Sequence, residues 1–66
     1  MKIKKGETYG EFLKRIRQTA KFTQDDLAVR LGFTKRSICA WERGNSTPSL
    51  PSQREIDRLA KDIKAR

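Results

Sequence analysis

Residues Thr23 to Pro48 read TQDDLAVRLGFTKRSICAWERGNSTP, two short helical patterns separated by one glycine, and on them the fold turns. In the first pattern Leu27, Ala28 and Leu31 fall at i, i+1 and i+4, on one helical face. Gly32 follows, where the chain has to turn and glycine takes positive φ without steric cost. In the second pattern Ile38 and Trp41 are three apart, while Lys35, Arg36, Cys39 and Ala40 face other directions. Thr23 and Thr34 stand before the two patterns as N-caps. Asp26 serves as the acidic partner of a capping box with Thr23, and Asp25 and Asp26 both suit the positive end of the helix dipole. These two acids are read as structural. Gly44 ends the second helix as a left-handed terminator.

Two short helices joined by a tight turn, the second carrying basic and small residues outward, make a helix-turn-helix pattern. The stretch resembles the lambda-repressor-like helix-turn-helix family of phage repressors, Cro proteins and small bacterial regulators. Gln24 opens the first helix of the motif, and Leu27, Ala28, Leu31 and Phe33 occupy the family's core positions. Gly32 is at the turn, Ile38 and Trp41 match the core of the second helix, and Glu42, Gly44 and Pro48 complete W-E-x-G followed by a proline-containing loop. The likeness extends over residues 9 to 63.

The flanks read as support. Thr8 and Glu11 form a capping box, and a helix over Tyr9–Ala20 presents Tyr9, Phe12, Leu13, Ile16 and Ala20 on one face. Phe22 plugs the core. Family members usually have glycine where this chain has Lys21, and lysine in the left-handed conformation costs roughly 1–2 kcal/mol, which argues for a different helix ending here. The loop NSTPSLP, with two prolines, delays the last helix to Pro51 or Ser52, where Ser52 and Glu55 make another box. Ile56, Leu59, Ala60 and Ile63 are its buried stripe, about three residues late against the family pattern, which implies a short insertion between Leu50 and Ile56. The expected fold is all-α: a compact bundle of four short helices with the helix-turn-helix at helices two and three. It forms one domain over 1–66, preceded by a flexible basic arm at 1–7. The arm reads equally as a phosphate-contacting tail or a solvated terminus. A fifth helix, used by many family members to dimerise, has no room before Arg66.

Composition narrows function. The 66 residues carry 16 basic and 8 acidic side chains, a formal charge of +8, which favours a polyanionic partner. A membrane surface is the competing polyanion, but each apolar stripe has another stripe to pack against. Cys39 is the only cysteine and histidine is absent, so a disulfide and a structural zinc site are not expected, nor any cofactor. No nucleophile, base and orienting group can be assembled, and an enzyme is not expected. Neither a signal peptide nor a membrane span is expected, and a bacterial or phage-encoded cytoplasmic protein is.

Geometry distributes the DNA-binding roles. The N-terminal part of the second motif helix would enter the major groove, so Lys35, Arg36 and Cys39, with Ala40 at the edge, are the candidate base contacts. Arg36 is the foremost candidate for guanine, since its fork can donate to both O6 and N7. The plain alternative is that Lys35 and Arg36 touch only phosphates. By resemblance, Gln24 and Thr34 match the family's phosphate-contacting positions, and Arg43, Asn45 and Ser46 lie on a loop that in the family approaches the next phosphates. Arg17 and Glu42 correspond to a buried salt bridge in some members. The implied function is a sequence-specific DNA-binding transcriptional regulator acting as a repressor on an inverted-repeat operator in double-stranded DNA, weakly dimeric or monomeric in solution, with no small-molecule ligand. The competing reading is a protein-interaction adaptor of the same fold with only non-specific DNA affinity.

Overall fold

The computed structural model describes residues 1–64, with side chains to residue 63, so positions 65 and 66 of the expected domain lie outside the described residues. It is all-helical: α1 Tyr9–Ala20, α2 Gln24–Leu31, α3 Lys35–Arg43 and α4 Leu50–Lys64. Three threonines set the starts. Thr8 Oγ1 accepts from the Glu11 amide while Glu11 accepts from the Thr8 amide, and Thr23 and Asp26 repeat the arrangement. Thr34 Oγ1 accepts from the Ser37 amide at the start of α3. Each box satisfies amides that a helix start would otherwise leave without partners.

Gly32 and Gly44 end α2 and α3 at φ of 76° and 81°. Lys21 ends α1 in the same way, at φ 62° and ψ 37°, and is the one non-glycine residue with positive φ among those described. The different ending expected for α1 is therefore not found. The Lys21 amide and the Phe22 amide close back on Gln18 and Arg17, and this pair of bonds together with the docking of Phe22 holds lysine in the unfavourable region.

The core is one cluster, with Phe12, Leu13, Ile16, Leu27, Ile38, Ile56 and Ala60 fully buried and Ala28, Leu59 and Trp41 close behind. α3 packs against α1 and α2, and α4 packs against the same pair. α1 and α3 meet backbone to backbone at Gly10, where a Cβ would collide with the Trp41 carbonyl and come within 3.3 Å of Glu42 Cα. This glycine has ordinary helical φ, so closeness rather than conformation requires it.

The expected start of the last helix is corrected. α4 begins at Leu50, with Pro51 as its second residue, so the helix starts earlier than expected and the Ser52–Glu55 box does not form. Proline's fixed φ and missing N–H suit a first helical turn, where the N–H would have no helical partner. Ser49, just before the helix, has its carbonyl taken by the Gln53 amide and its hydroxyl 3.0 Å from that of Ser52. The residues read as an inserted loop between Leu50 and Ile56 are thus an added turn of α4.

Within the basic arm, Met1, Lys2 and Glu7 bond to the domain. Glu7 takes the Arg15 guanidinium on both oxygens at 3.0 Å, Arg15 also donates to the Lys2 carbonyl at 2.7 Å, and the Met1 amine reaches the Ala60 carbonyl at 3.1 Å. Met1 packs on the core. Lys2 lines a hollow with Ile3, Asp57 and Lys61 of α4, which puts it on the α1–α4 side of the domain. The partners are distant in the chain, so no local pattern announces them.

Candidate nucleic-acid interface

α3 is divided along its length by what each side chain touches. Ile38 is fully buried and Trp41 stands edge-on to Phe33 at 5.2 Å between ring centres. On the opposite side Lys35, Arg36, Cys39 and Ala40 line one shallow hollow, closed below by Arg43 and Asn45. The structure thus brings together all four candidate base contacts with two of the candidate phosphate contacts. Ser46 is exposed on the loop beyond and does not line this hollow. Thr34 is occupied as the cap of α3, its hydroxyl accepting from the Ser37 amide at 3.2 Å and donating to Ser37 Oγ at 3.1 Å.

Behind α3, Arg17 and Glu42 form a fork-to-fork pair. Nε donates to Oε2 at 2.8 Å and Nη2 to Oε1 at 3.1 Å, and the two side chains are 18% and 6% exposed. Donating to the Glu42 carboxylate raises the guanidinium pKa against the opposing effect of burial. Arg17 also donates to the Phe22 carbonyl at 3.2 Å, and Gln24 Nε2 donates to Glu42 Oε1 at 3.4 Å. One carboxylate near the end of α3 therefore gathers α1 and the first residue of α2, while Arg17 ties in the α1–α2 turn. Gln24, a candidate phosphate contact, is held by this network with its second Nε2 hydrogen left to donate.

A second hollow opens at the start of α2, lined by Lys21, Thr23, Gln24, Asp25 and Lys35 along with Arg17 and Phe22. Sequence reasoning missed Lys21 and Asp25 here, treating the first as a helix end and the second as a dipole partner. Asp25 Oδ2 is 3.8 Å from Lys35 Nζ, both well exposed. No signal in the sequence gives this contact, since it depends on how the turn at Gly32 sets α3 across α2.

All 8 acidic side chains are engaged within the domain: five in ion pairs, two in capping boxes, and Asp57 by the Tyr9 hydroxyl at 2.9 Å. Burial, reinforced by the Asp57 bond, pushes the Tyr9 pKa up. Arg36, Arg43 and Lys21 have no ion pair among the described residues and remain available to an external anion.

The model of the family described as a helix-turn-helix domain matches residues 10–64. This chain belongs to that family. The match agrees with the likeness to the lambda-repressor type and covers α1 through α4, not the motif alone. Comparison with curated proteins and with solved structures returned no match. A helix-turn-helix domain is a DNA-binding architecture of regulators, with α2 and α3 as its motif. No described helix is long and apolar enough to cross a membrane.

Proposed function

We infer that this helix-turn-helix domain is a sequence-specific transcriptional regulator, a repressor, that inserts α3 into the major groove of double-stranded DNA. The observation that carries the reading is the hollow in which Lys35, Arg36, Cys39 and Ala40 share one face with Arg43 and Asn45, away from Ile38 and Trp41. Arg36 donates in a fork to guanine, Cys39 and Ala40 offer small apolar contact to a thymine methyl, and Arg43, Asn45 and Gln24 hold the flanking phosphates. Lys21 joins them from the α2 side. One such helix reads only a few base pairs, so two copies pair on an inverted repeat with half-sites about one helical turn, ~34–36 Å, apart. The chain is weakly associating or monomeric without DNA, works in the cytoplasm, and has no catalytic role.

Selection from a random duplex pool, followed by footprinting on the recovered site, tests the reading. A recurring inverted repeat with two protected half-sites is expected. Enrichment of no sequence, with binding that is weak and salt-sensitive everywhere, would favour the protein-interaction adaptor instead.

A further inference from the structure

Lys35 lines both hollows. It lies on the base-facing side with Arg36, Cys39 and Ala40, and in the second hollow with Gln24, Lys21 and Asp25. Its ammonium is a point charge on a flexible four-carbon stem, able to meet a base edge or to neutralise whichever phosphate is nearest. The second outcome strengthens binding to every sequence and therefore erodes selectivity. Asp25 Oδ2 stands 3.8 Å from Lys35 Nζ, on the side where the start of α2 would meet the strand. Asp25 takes no part in the cap of α2, which Thr23 and Asp26 complete between them.

We propose that Asp25 is a positioning residue for specificity, holding the Lys35 ammonium at the junction of α2 and α3 so that it serves base reading and not general phosphate binding. The proposal rests on the reading of α3 as the major-groove helix. At the junction Nζ stays beside the carboxylate, and Lys35 still borders the hollow that Arg36, Cys39 and Ala40 line. Reaching out to a strand phosphate breaks the pair and forfeits its attraction. The cost falls on any duplex that offers Lys35 only phosphates, and is smaller on a duplex that offers a base acceptor at that position.

The test measures affinity of the full chain for two duplexes, one recovered by selection and one unrelated, across a salt series. For Asp25→Asn, binding to the unrelated duplex is expected to rise about two- to five-fold, the scale of an exposed ion pair. The slope of log affinity against log salt should steepen by about 0.9, one added phosphate contact. Affinity for the selected duplex should change less than twofold, so discrimination falls. In a Lys35→Met background the same substitution should have no effect on the unrelated duplex. An undiminished effect there would mean that Asp25 merely repels phosphate, and unchanged discrimination in Asp25→Asn would equally overturn the proposal. A wild-type chain that prefers no sequence would remove the underlying DNA reading, a different result from a preference that Asp25→Asn leaves intact. Asp25 is exposed and outside the cap, so a thermal melt within a few degrees of wild type is expected and separates these outcomes from misfolding.

Discussion

Arg36 and Arg43 are both exposed cations on the same hollow, about two helical turns apart. Arg36→Ala is expected to relax preference at one or two base positions at a cost of ~1–3 kcal/mol, whereas Arg43→Ala should weaken all sequences about equally. Binding to a panel of single-base variants distinguishes the two, and a uniform loss for Arg36→Ala would reverse the assignment. Lys21 carries two opposed roles. Its φ of 62° is a glycine's conformation, so Lys21→Gly should raise stability by ~1 kcal/mol, or ~4–8 °C in melting temperature for a domain of this size. Because Lys21 also lines the hollow at the start of α2, the same substitution should lower affinity for all duplexes alike while leaving sequence preference unchanged. A calorimetric scan and a salt series on one variant check both.

At the level of elements, what could be read in advance was what is local. Thr8, Thr23 and Thr34 begin helices because a cap needs only the three residues that follow it. The start of α4 was misread because Ser49 and Ser52 are both plausible caps and Pro51 is allowed in either first turn. Gly10 was passed over, since its reason is a neighbour thirty-one positions away. Gly10→Ala should therefore destabilise by roughly 2–4 kcal/mol, more than overpacking a yielding side chain, because the Cβ meets the backbone of Trp41. Chemical denaturation would show it, and a near-neutral result would mean that α1 and α3 can part without loss. The α2 cap and the Glu7–Arg15 pair also set the acid limit. The Arg15 bonds hold Glu7 below its ordinary 4.5, and the Thr23 amide holds Asp26 below its ordinary 3.8. A carboxylate with a lowered folded pKa stabilises above its unfolded value and loses that contribution as pH falls through the folded one. Stability should thus decline from about pH 4.5 downward, and in Asp26→Asn the part due to the α2 cap should be missing from that decline in a pH series of melts.

For the molecule as a whole, the +8 charge pointed to a polyanion, but its distribution could not be read without the fold. Lys2 sits on the α1–α4 side, while Lys21, Arg36 and Arg43 border the two hollows around α3. With residues 1–7 excluded, Lys21 and Arg43 are the cations placed to neutralise phosphates, giving a salt slope of about −2 per subunit. A titration on one half-site checks it, and a slope much steeper would mean that the basic residues of the first segment swing across to the DNA. The same separation of faces leaves α3 open to rewriting. Lys35, Arg36, Cys39 and Ala40 neither cap a helix nor belong to the buried cluster, whereas the residues that seat α3, Ile38, Trp41, Glu42 and the facing Gly10, lie elsewhere on the helix or on α1. Those four positions can therefore be exchanged on a scaffold whose melting temperature the exchange leaves nearly untouched, and, with α3 reading bases as proposed, each exchange would rewrite the DNA sequence preferred.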